Sequence, residues 1–470
     1  MTALTEPEVV AGDLTLRLAT FVSGIDAGDL PEPAVERLQQ CLLDFVGLTA
    51  FAGARSESSD AIRGGVTSLA TADGPGTVVG DDRGYPFPYA ALLNGAFAHS
   101  LDFDDTNIYG SLHPGAPVIP AALAVAERTG ATGSQLMEAL AAGYETCCRV
   151  GAALGQTGYD RGFHITPVAG IFGAIAAGAR LLGFSPDRLA AAWGLGGSMA
   201  SGSMQYLANG AWNKRLHPGL ASHDALLCLS FAESGVVAAA QPFEGRFGLL
   251  AGYSNAPAPE LLVRELGERW VLTETAIKPY PSCRFTHGAV DVALEVRERL
   301  GGPPTSAGRL GLRISPRAYQ IVGGTEPNKT APANVVDAQF SVYFQTAVAL
   351  LDGAVEWASY DRLPDPDVRD LAGRLELVAD EAVPTAGAVL TYAPSSGQAV
   401  TVSTDRPIGE PGDDLPWTVV EKKFHDLAGA VFAAEHRDRI VAQVRALRAL
   451  DSAADWIRTL RRPSAAGGPS

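Results

Sequence analysis

Lysine is scarce in this chain. Of 36 basic residues only Lys214, Lys278, Lys329, Lys422 and Lys423 are lysine, which leaves 31 arginines. Codon bias accounts for such a replacement in general. A lysine that survives it marks a position where a compact ammonium, or one that can titrate, is wanted in place of a planar guanidinium. Positive charge is short overall: 36 Lys and Arg against 52 Asp and Glu give a formal net charge of −16. That balance excludes a nucleic-acid partner, which needs a basic face. It leaves room for an anionic substrate, because a pocket can be basic inside an acidic shell.

Cysteine is sparse too. Cys41, Cys147, Cys148, Cys228 and Cys283 form an odd set with no C-x-x-C pair. A disulfide framework, a zinc site and a cysteine-held iron–sulfur cluster are therefore not expected. Long apolar runs are missing: the longest, from Pro167 to Ala179, is short and rich in Gly and Ala, so no membrane span is expected. The first dozen residues carry acidic side chains and no basic one, the reverse of an export signal, and a cytoplasmic location is expected. No Walker loop, Rossmann glycine pattern or G-x-S-x-G elbow stands in a fitting context.

At 470 residues the chain exceeds what one compact core usually holds, so two domains are expected. Residues 14 to 271 read as helices. Val35, Leu38, Leu42, Phe45 and Val46 share one helical face, Thr132 and Gln135 make a capping box, and Ser185-Pro186 is an N-cap followed by proline. Their richness in Ala and Gly predicts close packing. Near Thr273 the pattern changes. Leu310, Leu312 and Ile314 alternate as in a half-buried strand, and Leu375 and Leu377 repeat the pattern. Val389–Tyr392 and Val400–Val402 flank a Pro394–Gly397 turn. Between them Val336 to Leu351 reads as one helix ended by Gly353. After the break at Pro411–Asp414, Thr418 and Glu421 suggest another capping box, with helices to about Leu460 and a disordered tail from about 463. The expected fold is mainly α. A large helical domain is built from both chain ends, 1–273 and 412–470, with a smaller α+β lid inserted at 274–411.

Six of the eight histidines fall between His99 and His287. His99 opens a run in which Asp102, Asp104 and Asp105 crowd together. Three acids could bind a metal, but neighbouring side chains diverge and would not aim at one point. Three further segments share a design. His113-Pro114 precedes a helix expected to open at Pro120. His164 precedes Thr166-Pro167. Lys214-Arg215-Leu216-His217 precedes a helix expected to open at Pro218. Each would set a His or Lys against a helix N-terminus, where free N–H groups and the dipole favour anions and lower a nearby imidazole's pKa. One such His is more often structural than catalytic; three together favour a site. A last cluster, Lys278-Pro-Tyr-Pro-Ser-Cys283-Arg284 with His287, lies at the domain junction. Its prolines would hold Lys278 and Arg284 in place. Cys283 is either a reactive thiol or, as is usual for buried cysteine, inert.

Taken together these motifs resemble the MmgE/PrpD family. The resemblance runs from about residue 12 to 455. It rests on Asn94-Gly95 with His99, Leu101–Thr106, His113-Pro114, Gly162–His164, Lys214–Gly219, Lys278–Pro281 and Asp337–Ser341. It implies a metal- and cofactor-independent lyase, a dehydratase, acting on a small di- or tricarboxylate by carbanion chemistry. Epimerisation or decarboxylation is the alternative. A non-catalytic carboxylate-binding member is a further one, against which the intact motifs argue. The resemblance implies Asp102, His113, His164, Lys214 and Lys278 as catalytic, and Thr106, His217, Cys283, Arg284 and Tyr319 as substrate-binding. It also implies a homodimer. Two positions depart from the family: Asn107 stands where a His is common, and Cys283 stands where the decarboxylases carry His, which disfavours decarboxylation.

Overall fold

Small residues set the architecture. In the computed structural model, which describes residues 14–70, 72–411 and 415–462, the Asn213–Glu233 helix lies directly on the Phe87–His99 helix. A Cβ on Gly219 would stand 2.2 Å from the Leu92 carbonyl oxygen, so only glycine permits this approach. Helices Gly133–Leu154 and Ile165–Leu181 meet in the same way through Gly143 and Gly173. Gly133–Leu154 and Ile165–Leu181, rich in Ala and Gly, bury nearly their whole circumference. Their core extends from Leu14 to Ile277 and takes in Val420, Phe424, Ile440 and Trp456 from the other end of the chain.

A second core gathers residues from Cys283 to Val402. Its sheet has four strands in the order Leu375–Ala379, Arg309–Ile314, Ala388–Ala393, Val400–Thr404. The first pair is parallel and the others antiparallel, with Leu310 opposite Tyr392 and Leu312 opposite Leu390. Alternation puts Leu310, Leu312, Ile314, Leu390 and Tyr392 on the buried face, covered by the Arg284–Leu300 helix. The fold is thus mainly α, with a large helical body drawn from both chain ends and a smaller α+β lid inserted into it. None of the helices among the described residues is long and apolar enough to cross a membrane. The acidic start, the Gly412–Asp414 break and the tail from 463 lie outside the described residues.

The Thr132–Gln135 capping box and the Ser185 cap form as expected. Other local expectations need correction. The helix after His113 is Gly115–Thr129, with Pro120 inside it, and Pro218 likewise lies inside Asn213–Glu233. Lys214 therefore sits in the first helical turn and not ahead of the helix. Val336–Leu351 is two helices, Val335–Gln339 and Val342–Asp352, because Ser341 caps the second by accepting from the Phe344 N–H at 3.1 Å. The break turns Phe340 toward the cleft. Thr418 caps nothing: its helix begins at Trp417 after Pro416, and Glu421 pairs with Arg445 at 2.6 Å.

Candidate active site

The cleft between the two cores holds a cavity of about 580 Å³. One wall comes from the loop after the Phe87–His99 helix. There Asp102 adopts a left-handed φ of 50°, which Asp tolerates better than most residues. Four residues on, Thr106–Asn107 pairs antiparallel with Thr275–Ala276, and this short ladder brings Lys278 beside Asp102. Asn107 braces it. Its side chain donates to the Val271 carbonyl at 2.9 Å and to Thr275 Oγ1 at 3.1 Å, and accepts from the Gly110 N–H at 2.8 Å. The departure at Asn107 is thus a buried structural residue.

Asp102 is clamped between two ammonium groups. Lys278 Nζ donates to Asp102 Oδ1 at 2.6 Å and to the Asp102 carbonyl at 2.9 Å. Lys214 Nζ lies 2.8 Å from Oδ2 as an ion pair outside hydrogen-bond alignment. All three side chains are buried. Burial pushes the Asp102 carboxyl up, but Lys214 and Lys278 outweigh it and hold the group well below the usual carboxylate range. The two lysines thus share one carboxylate at the cavity wall.

Beside it stand four imidazoles. His113 lines the cavity, and its Nδ1 lies 3.2 Å from Asp104 Oδ2. His99 Nδ1 meets the same oxygen at 2.7 Å. An ionised Asp104 beside Nδ1 favours a proton there, which would leave Nε2 with its lone pair, the tautomer a base requires. Burial, opposed by Asp104 and aided by Lys278, lowers the His113 pKa from its usual 6.5. His164 faces His217 with Nδ1 atoms 3.0 Å apart. Burial and then His99, His217 and Lys214 hold its pKa well down, and burial and Lys214 bring His217 to about 4. Desolvation heads these causes. The helix end after His113 is already occupied: Asp105 Oδ1 accepts from the Gly115 N–H at 2.9 Å, and its Oδ2 accepts from Tyr144 at 2.6 Å.

The three crowded acids diverge, Asp102 to lysines, Asp104 to histidines and Asp105 to Tyr144. His99, Asp104 and His113 form a possible metal cluster, with ligand atoms within 4.8 Å of one another. Ligands about 2.1 Å from one tetrahedral ion stand roughly 3.4 Å apart. The 2.7 Å His99–Asp104 contact is a hydrogen bond, so the spacing fits a shared carboxylate better than an ion.

Eight of the ten residues proposed from sequence line the cavity: Asp102, Thr106, His113, His164, Lys214, Lys278, Cys283 and Arg284. His217 stands behind His164. Tyr319 packs on the lid core while its neighbours Arg317 and Ile321 reach the cavity. Arg284 is neutralised by Glu410 at 2.7 Å. The Cys283 thiol is buried, which raises its pKa, with Asp102 adding to the effect. Sequence reasoning did not assign roles to His99 and Asp104, although both lie in a motif it quoted. Arg317, which reaches across the cleft to Asp160 at 3.0 Å, carried no sequence signal.

Two lysines, a buried carboxylate and a group of imidazoles thus meet in one cavity between the two cores. Residues 16–262 match the MmgE/PrpD N-terminal domain and residues 280–448 the MmgE/PrpD C-terminal domain. The chain belongs to the MmgE/PrpD family, whose members are enzymes. It is 26% identical to cis-aconitate decarboxylase of Homo sapiens, over 96% of this chain and 95% of that protein. It is 28% identical to cis-aconitate decarboxylase of Aspergillus terreus, over 89% and 90%. A cis-aconitate decarboxylase-like protein of Aspergillus oryzae is 29% identical over 61% of this chain and 62% of its own length.

Proposed function

We propose that the protein is a cofactor-independent lyase, a dehydratase of a small hydroxylated di- or tricarboxylate. The carrying observation is the Lys214–Asp102–Lys278 cluster facing the neutral His113 in one cavity. A substrate carboxylate docks against the two ammonium groups. His113 Nε2 removes the adjacent C–H proton, and the electron pair moves into the carboxylate as an aci-carboxylate dianion. Lys214 and Lys278 stabilise that charge, an effect worth about 3–4 kcal/mol at comparable oxyanion sites. The pair then forms the C=C bond as the C–O bond breaks. The departing hydroxide takes the proton from the His113 imidazolium and leaves as water. Asp104 stabilises that imidazolium while it lasts. Asp102, held ionised, positions the lysines and is not the acid.

A second reading, decarboxylation of an unsaturated tricarboxylate, is favoured by the names of the relatives. It shares the carbanion and the lysines. Cys283 weighs against it, because a thiol whose pKa is raised by burial is a weaker proton donor than an imidazolium. EDTA-treated protein mixed with citrate-like hydroxy acids and with cis-aconitate separates the two. Growing alkene absorbance supports dehydration, carbon dioxide release supports decarboxylation, and activity lost to EDTA and restored by metal contradicts both.

A further inference from the structure

We propose that Lys423 is a positioning residue of this site: its ammonium ties the main chain at Phe103 to the main chain at Lys278 and so fixes where Asp102 and Lys278 meet. What is being positioned rests on the reading above. Lys423 comes from the Trp417–Ala428 helix, far along the chain from either segment. Its side chain is 10% exposed. Nζ donates to the Phe103 carbonyl at 2.7 Å and to the Lys278 carbonyl at 3.0 Å. It lies 2.7 Å from Asp44 Oδ1, which balances its charge, and 3.7 Å from the centre of the Phe103 ring.

The need for it follows from the ladder. Backbone pairing between the two segments covers only Thr106–Asn107 and Thr275–Ala276, with one more bond from Ile108 to Glu274. Toward the site no backbone bond among the described residues joins 102–105 to 277–279. There the two segments present carbonyls toward one point. Two acceptors cannot bond each other. A third group with several donors is required, and an ammonium offers three on one atom. Phe103 directly follows Asp102, whose backbone is left-handed. Lys278 in turn holds the Asp102 carboxylate. The result is a closed circuit from Lys423 through Phe103, Asp102 and Lys278 back to Lys423. The scarcity of lysine now has a pattern. Lys214 and Lys278 line the cavity, Lys423 bridges the loops behind it, and Lys329 bonds the carbonyls of cavity-lining Ile321 and Phe340 at 2.8 and 3.2 Å. Only Lys422 is plainly exposed.

Five lysines also make the test tractable. Protein labelled with carbon-13 at lysine Cε gives five resonances, assignable by single Lys→Arg replacements. Lys423→Met should move the Lys278 resonance by more than its line width and leave Lys329 in place. A mere loss of stability would instead send all the resonances together toward unfolded positions. If Lys423→Met does not fold, Asp44→Asn with Lys423→Met removes the buried pair as a unit and takes its place. Turnover should fall about tenfold or more, the scale of a small misplacement of reacting groups. In a Lys278→Ala background the same change should cost less than about twofold, because residues acting as one unit do not multiply. A folded variant with Lys278 unmoved, or an equal loss in both backgrounds, overturns the proposal. If wild-type protein turns over no acid, the enzymatic reading fails, and the resonances alone decide the role of Lys423.

Discussion

Replacing Lys214 by arginine keeps the charge and changes its shape, which makes it a sharp probe. Lys214 Nζ is 2.8 Å from Asp102 Oδ2 and 5.2 Å from the centre of the Phe340 ring, and the residue is 7% exposed. A longer, planar head would have to reach past Asp102 or into the cavity that Lys214 lines. The helix carrying it cannot retreat, because Gly219 already abuts the Leu92 carbonyl. A guanidinium would grip both Asp102 oxygens in a fork and draw the carboxylate off Lys278. Its charge would also spread away from the point where the aci-carboxylate forms. Lys214→Arg should therefore lower turnover by at least about tenfold, some 1.4 kcal/mol of transition-state stabilisation. The assay is kcat and kcat/KM on the best acid, with circular dichroism and Tm matched to wild type. Full activity in a folded Lys214→Arg protein would refute the reasoning and remove Lys214 from the site.

The neighbouring substitution should behave oppositely. Arg215 bonds Ser56, Ser58 and Glu57 at 3.2, 2.9 and 2.7 Å, so Arg215→Lys should cost about 1–3 kcal/mol of stability. Denaturant melts would show it, with turnover of the folded fraction near wild type. His113→Gln should reduce kcat by about 10²–10⁴-fold, the usual worth of a general base, with substrate affinity in calorimetry little changed. The base works when neutral and its pKa is lowered from 6.5. Activity should therefore hold at pH 7 and fall only below about pH 6.5; an acidic limb centred above that value would remove His113 as the base. Gly219→Ala should destabilise the helical body by about 1–3 kcal/mol, read as a lower Tm, since its Cβ would meet backbone at 2.2 Å.

The sheet was legible because Leu310, Leu312 and Ile314 alternate strictly and the Pro394–Gly397 turn separates two strand-like runs. Helix starts were less so. Proline usually marks the first turn, yet Pro120 and Pro218 each stand inside their helices, where tertiary packing outweighs local preference. The cavity-lining residues came from short motifs, the lysine count and the family resemblance that those motifs carry. The partners that orient them did not. Asp104 looks from sequence like one of three equivalent acids, and only the fold turns it to His113 and its neighbours elsewhere. Lys423 lies 320 and 145 residues along the chain from the carbonyls it joins. Tyr319 and Arg317 lie on one short helix, and which of them faces the cleft depends on how that helix seats on the sheet.

Proton magnetic resonance in deuterium oxide tests the central claim most directly. EDTA-treated protein is incubated with citrate-like and unsaturated tricarboxylic acids, and the C–H positions beside each carboxylate are followed. The account predicts that wild-type protein consumes at least one acid or exchanges its adjacent proton for deuterium, and that His113→Gln and Lys278→Ala each slow this by about a hundredfold or more while leaving a measurable residue. Exchange at the wild-type rate in both variants, or exchange that appears only after metal is added back, would contradict it.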